Sequence, residues 1–216
     1  MSEPINWYGR WGKRVLDVGL ATPLLLLALP LLLATAGALA IQNRGAWLFR
    51  QPRPGLHGRL FTLYKLQTMT STHDAQGQLL PDAQRLPRLG RWVRAASLDE
   101  LPQLWNILRG DLSLVGPRPL LPQYLLLYSP AQARRHLVLP GLTGWAQVNG
   151  RNAISWEQKF LYDTWYVDNY SFVLDLRILF RTALRVLGAR GITAPGQATT
   201  EPFRGSTPSS PASSAS

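Results

Sequence analysis

Two adjacent carboxylates stand inside the pentad Ser97-Leu98-Asp99-Glu100-Leu101, with Arg94 just before it and Arg118, in Gly116-Pro117-Arg118-Pro119, after it. Those residue types suit work on phosphate groups. A carboxylate can attack phosphorus and form an acyl phosphate, provided the anionic phosphate oxygens are neutralised first. Arg118, Arg94 and Lys65 are candidates for that neutralisation, together with a divalent cation. Hard oxygen ligands and a phosphate substrate select Mg²⁺ over a softer metal. The second carboxylate of the pair can position the ion or shuttle a proton. A competing reading is structural. Adjacent acids are commonly solvated surface, and Ser97 to Glu100 also fits a capping box, with Ser97 at the N-cap and Glu100 at the third helical position.

The elements that must hold these groups can be read around them. Leu98, Leu101, Trp105 and Leu108 recur at helical spacing, and Pro102 requires that helix to start later or to kink. Either way Asp99 falls near a helix N-terminus, where free N–H groups and the dipole favour anions. Arg85, Arg88, Arg91 and Arg94 recur at every third residue, roughly one helical face, either a solvated basic face or an anion-attracting one leading to the acid pair. Arg59 to Met69 alternates apolar and polar residues and reads as a strand that carries Lys65. Ser71 to Asp82, with Gly77 and Pro81, reads as a loop.

A leucine-rich run from Val15 to Ile41 carries only Asp17, Thr22 and Thr35 as polar exceptions. Three readings compete for it. A signal peptide would use Lys13 and Arg14 as its basic start and Ala38-Leu39-Ala40 as its cleavage site. A simple helix of this length could cross a bilayer. A re-entrant helix, bent near Pro30, would enter and leave by one face. Basic residues on both flanks (Arg10, Lys13 and Arg14 before; Arg44, Arg50, Arg53 and Arg59 after) favour the re-entrant form, because both ends then prefer the cytoplasmic side. Phe172 to Leu187 places Arg177, Arg181 and Arg185 on one face of an otherwise apolar helix. It reads as a helix in the membrane interface or a buried helix with one wet stripe. Leu120 to Tyr128 is apolar enough to dock on lipid.

With 23 Lys and Arg against 12 Asp and Glu, the net charge is +11, which attracts anionic lipid, phosphorylated substrates or nucleic acid. There are no cysteines, so disulfides and thiolate chemistry are excluded. No phosphate-binding G-x-x-x-x-G-K-[ST] loop or dinucleotide G-x-G-x-x-G motif occurs, and His57, His73 and His136 lack zinc-ligand spacing. Nucleic-acid binding leaves the apolar run without a role. A non-enzymatic basic scaffold at the membrane surface would explain the charge but not the acid pair or the Gly-Pro-Arg-Pro segment.

The long ordered motifs SLDELPQLWNILRGDLSLVGPRP and LPGLTGWAQVNGR, with RPG at Arg53-Pro54-Gly55, YKLQTM at Tyr64 to Met69 and the terminal ATTEPFRG, resemble the bacterial sugar transferases, the monotopic phosphoglycosyl transferases. The resemblance runs from about Lys13 to Phe203. The compact size and NGRNAISWEQKFLYD resemble the short members, typified by the transferase for diacetylbacillosamine phosphate. Such a resemblance implies transfer of a phosphosugar from a UDP-sugar to a polyprenyl (undecaprenyl) phosphate with release of UMP, the first membrane step of glycoconjugate assembly. It implies Asp99 as a covalent nucleophile and Mg²⁺ ligand, Glu100 as its partner, and Lys65, Arg94 and Arg118 as phosphate-side residues. Gly141 to Arg151 would line the pocket, with Gln147 and Arg151 its candidates. It further implies a monotopic protein on the cytoplasmic leaflet of the bacterial inner membrane, with a homodimer left open. Short members often carry Ser-Pro at the bend; the counterpart here is Leu29-Pro30, with Thr22-Pro23 nearby as a second proline that could set it.

The expected fold is mixed α/β and mostly helical. A segment at 1–12 precedes a re-entrant membrane helix at 13–45, a small cytoplasmic catalytic domain with interfacial amphipathic helices at 46–204, and a disordered tail at 205–216.

Overall fold

The computed structural model describes residues 8–150, 154–188 and 202–205. The expected disorder of the tail falls outside them, Gly205 excepted.

Helix α1, Lys13–Gln42, takes up the whole apolar run and continues through both Pro23 and Pro30. At about 1.5 Å per residue its 30 residues measure about 45 Å. It is the one helix among the described residues long and apolar enough to cross a membrane. Its burial is a stripe. Lys13, Asp17, Ala21, Thr35 and Leu39 are buried, whereas Leu24, Leu26, Leu27, Leu29, Leu31 and Leu33 are exposed. A continuous exposed leucine surface of that kind is stable against lipid rather than water.

Both ends of α1 are fastened to the same globular domain. At the N-terminal end Lys13 Nζ pairs with Asp175 Oδ2 at 2.6 Å, and Asp17 Oδ1 accepts from the Leu114 amide at 2.8 Å and the Ser113 hydroxyl at 3.0 Å. Arg14 donates to the carbonyls of Ile107 and Leu108, both at 2.5 Å. At the far end Leu39 packs with Leu66 and Val93, and Asn43 Nδ2 donates to the Gln67 carbonyl at 2.6 Å.

Strands β1, Leu48–Pro54, and β2, Leu60–Leu66, form an antiparallel hairpin with Leu48 opposite Leu66 and Pro54 opposite Leu60. The strand expected from Arg59 to Met69 is thus present, shorter by one residue at its start and by three at its end. After the loop come α2, Asp82–Arg85, and α3, Arg88–Ala95. Pro87 separates them, so the four arginines do not share one face. Arg85 pairs back onto Asp82 at 2.7 Å, and only Arg88, Arg91 and Arg94 lie on α3.

Leu98–Glu100 is a single 3₁₀ turn, and α4, Gln103–Arg109, begins after Pro102. Strand β3, Ser113–Val115, runs parallel to β4, Gly141–Thr143. A Cβ on Gly141 would meet the Gly116 nitrogen at 2.0 Å, so these two backbones touch in a way that only glycine permits. Between them lie a 3₁₀ segment, Pro122–Leu127, and α5, Pro130–Ala133. Helices α6, Trp145–Asn149, α7, Trp156–Asn169, and α8, Phe172–Leu187, follow.

The main core gathers Ala21 of α1 with Leu104, Ile107, Leu114, Val115, Val148, Tyr166, Leu174 and Ile178. Helix α8 occupies the residues expected of it. Leu174, Asp175 and Ile178 face the core, while Phe172, Val173, Leu176, Phe180 and Leu184 are exposed. Leu126, in the Pro122–Leu127 segment, is 93% exposed. These apolar surfaces, with α1, are compatible with association with a membrane, and the fold is mixed α/β and mostly helical as expected.

Candidate active site

The capping-box reading of Ser97 and Glu100 is overturned. Ser97 adopts a left-handed conformation, φ 56°, and its side chain caps nothing. The turn tightens to 3₁₀ ahead of Pro102, and the Glu100 carboxylate is used elsewhere. Its Oε1 accepts from Lys65 Nζ at 2.8 Å and from Arg118 Nη2 at 2.5 Å. Three residues far apart in the chain thus meet at one oxygen.

Each partner arrives on its own element. Lys65 comes from β2, which α4 holds through Asn106. Asn106 Oδ1 accepts from the Tyr64 amide at 3.1 Å and its Nδ2 donates to the Thr62 carbonyl at 2.8 Å. Arg118 comes from the loop after β3, and three donors pin that loop by its carbonyls. Gly141 N donates to Pro117 O at 2.9 Å, Arg135 Nη2 to Arg118 O at 2.7 Å, and Arg53 Nη1 to Pro119 O at 3.3 Å. Arg135 is itself held by Asp163 at 2.8 Å, with both side chains fully buried. Neither Asn106, Arg135 nor Asp163 was singled out by the sequence reading.

Asp99 stands differently from its neighbour. Among the described residues it accepts no hydrogen bond and forms no ion pair. Burial pushes its carboxyl above the usual carboxylate range and the Glu100 charge adds to that, while Lys65, Arg94 and Arg118 pull the other way. Burial also opposes the charge on Glu100, but Arg118 and Lys65 outweigh it and hold that carboxyl well below its usual range. Two adjacent carboxylates are thereby pushed apart in acidity, a pattern that divides chemical roles. Arg94 acts on Asp99 through its field, its Nε being fixed by the Thr68 hydroxyl at 2.8 Å.

Lys65, Glu100 and Arg118 are therefore joined directly, with Asp99 and Arg94 adjoining them. Gln147 lies on α6, and its side-chain nitrogen and oxygen are buried without hydrogen-bond partners among the described residues, although its backbone carbonyl accepts from Arg185 at 3.1 Å. Arg151 lies outside the described residues. Among the described residues no group of three or more His, Asp or Glu could hold a metal by itself. The donor set still fits Mg²⁺, which takes one or two carboxylates and draws its remaining ligands from substrate phosphate and water. Asp99 offers free oxygens of the right kind.

The sequence model of the bacterial sugar transferases matches residues 8–189. The chain belongs to the bacterial sugar transferase family. It is 55% identical over 194 residues to the uncharacterized sugar transferase EpsL of Bacillus subtilis (strain 168), covering 90% of this chain and 96% of that one. It is 45% identical over 187 residues to the UDP-glucose:undecaprenyl-phosphate glucose-1-phosphate transferase of Caulobacter vibrioides, covering 81% of this chain and 69% of the relative. With the undecaprenyl-phosphate galactose phosphotransferase of Salmonella typhimurium it shares 35% identity over 199 residues, 84% of this chain but 42% of that longer protein. Membership of the sugar transferase family makes the chain an enzyme, a phosphoglycosyl transferase, and sets aside the non-enzymatic scaffold.

Proposed function

We propose that this sugar transferase moves a sugar 1-phosphate from a UDP-sugar to a polyprenyl phosphate in two displacements, through a phosphosugar held covalently on Asp99. The observation that carries the reading is the contrast within the acid pair. Glu100 is committed to Lys65 and Arg118, whereas Asp99 stands beside the same cations with its carboxylate free. A nucleophile needs a free lone pair next to groups that accept the charge of the phosphate it attacks.

In the first displacement an Asp99 oxygen bonds to the sugar-linked phosphorus. The bond from that phosphorus to the bridging oxygen breaks, and UMP leaves with that oxygen. In the second, an oxygen of the polyprenyl phosphate bonds to the same phosphorus and the Asp99 carboxylate is released. One phosphate monoester departs and another arrives, so no net proton is consumed. Lys65 and Arg118 keep Glu100 ionised and hold positive charge beside the reacting phosphate. Mg²⁺, when bound at Asp99, would neutralise phosphate oxygens and stabilise the leaving phosphate.

The membrane elements supply the acceptor. Both ends of α1 rest on one domain, which supports a re-entrant course through the cytoplasmic leaflet of the bacterial inner membrane. The apolar faces of α8 and Leu126 then lie at the surface from which a polyprenyl phosphate presents its head group. The pathway served would be the first membrane step of glycoprotein, capsule, O-antigen or exopolysaccharide assembly. A panel of UDP-sugars, assayed for UMP in the presence of polyprenyl phosphate, tests the reading. UMP is the expected product; UDP would mean that the sugar moved without its phosphate and would sink it.

A further inference from the structure

Arg118 lies in the Gly116-Pro117-Arg118-Pro119 loop, Arg135 and Arg53 donate to that loop's carbonyls, and Lys159 feels the charge of Arg118; among the described residues two of these four cations have a carboxylate. Arg118 pairs with Glu100 at 2.5 Å and Arg135 with Asp163 at 2.8 Å. Arg53 and Lys159 form no ion pair among the described residues. Arg53 Nη2 donates to Gln51 Oε1 at 2.6 Å and Nη1 to Pro119 O at 3.3 Å, while its Nε is buried with no acceptor among the described residues. Lys159 Nζ lies 4.1 Å from the centre of the Trp156 ring. Tyr124 connects the two neighbourhoods. Its ring packs edge-on to Trp156 at 5.7 Å, and its field acts on Arg53.

Holding two partly buried cations without acids is costly. Burial first, and then the charge of Arg118, lowers the Arg53 pKa to about 10. Burial likewise lowers that of Lys159; Asp163 offsets part of this, while Arg135 and Arg118 add to it. Arg118 is the cation that both share. An anion placed between them would relieve the repulsion and find an unused donor in Arg53 Nε.

We propose that Arg53 and Lys159 form a second phosphate subsite beside Arg118, occupied in turn by the phosphate monoester that leaves and the one that arrives. This rests on the two-displacement reading above. An in-line displacement puts the leaving oxygen opposite the Asp99 oxygen that attacks. The second displacement must then approach from the side opposite the bond to Asp99, which is the place UMP has vacated. Both occupants are phosphate monoesters, one on a nucleoside and one on a lipid, so a single pair of cations serves both.

The test uses the full chain in lipid nanodiscs with Arg53→Gln and Lys159→Gln. Each is expected to raise the inhibition constant of UMP and the KM for polyprenyl phosphate together, by about tenfold, the loss of roughly one charge-assisted contact. The UDP-sugar, which presents a singly charged phosphate there, should lose less. Lys159→Arg should retain most of the affinity. A rise for UMP alone or for the lipid alone overturns the shared subsite, and so does no rise for either. A second readout separates this proposal from the reaction it rests on. Inorganic phosphate titrated into the same nanodiscs and followed by ³¹P line broadening should bind wild type about tenfold or more tightly than the double variant. That difference in a protein releasing no UMP from any UDP-sugar would keep the anion subsite and overturn both the transferase reading and the subsite's shared role; equal binding overturns the subsite whatever the activity.

Discussion

Arg118 donates to Oε1 of Glu100 at 2.5 Å, and Lys65 reaches that same oxygen from the opposite side of the sequence. Glu100 is thus an anchored anion rather than a helix cap, which changes what its replacement should do. Glu100→Gln keeps the size and the capping ability but removes the charge that holds both cations. Activity is expected to fall by about 10²-fold or more. Because the Glu100 side chain is 23% exposed and Arg118 43%, the stability lost at neutral pH should stay near 1 kcal/mol or below. Steady-state UMP release and a denaturant melt on the purified variant would check both.

The split in acidity gives the two acids opposite signs against pH. Glu100 is held low, so its stability contribution is present above its unfolded pKa and lost as pH falls through the folded one. Asp99 is held high, so the contribution of its neutral form is present below its unfolded pKa, about 4, and is lost as pH rises through the folded value. Asn is neutral at every pH. Asp99→Asn should therefore melt above wild type at pH 8, and the gap should close below about pH 4. Glu100→Gln should melt below wild type at pH 8. Thermal melts across that range would show the two curves diverging in opposite directions.

Removal of divalent cations is expected to stop turnover. EDTA should abolish UMP release and Mg²⁺ should restore it, since no group of three acidic or histidine side chains among the described residues could substitute for substrate phosphate in holding the ion. Full activity after exhaustive chelation would remove Asp99 as a metal ligand.

The course of α1 can be read from its ends. Half of the helix, at about 1.5 Å per residue, falls short of the roughly 30 Å hydrocarbon core. A bend near Pro30 would free the Leu26 carbonyl, which must find a partner inside the protein because lipid offers none. Ser2→Cys and Gln42→Cys in this cysteine-free chain report on both sides. Neither should react with a membrane-impermeant thiol reagent in intact cells, and both should react after lysis. Labelling of Ser2→Cys alone in intact cells would establish a spanning helix.

Periodic features were legible in the sequence. The α8 boundaries, the β2 strand and the apolar run followed from side-chain patterning, and the motif around Asp99 led to the cations that meet there. Local rules failed where tertiary contacts overrode them. Ser97-Leu98-Asp99-Glu100 satisfies the spacing of a capping box, yet Lys65 and Arg118 take the Glu100 carboxylate. The arginine ladder satisfies helical spacing, yet Pro87 divides it. Arg135 and Asp163 gave no signal, because a buried ion pair 28 residues apart has no periodicity. Lys13 and Asp175, 162 residues apart, were invisible for the same reason.

The covalent role of Asp99 is tested most directly by a UDP-sugar labelled with ³²P in the sugar-linked phosphate, given to the full chain without any acceptor. The expected result is one equivalent of UMP released and label retained on the peptide containing Asp99, discharged when polyprenyl phosphate is added. Asp99→Asn should retain no label and release no UMP. Turnover of that variant at even a tenth of the wild-type rate, or UMP release that always waits for the acceptor and leaves the chain unlabelled, would contradict the account.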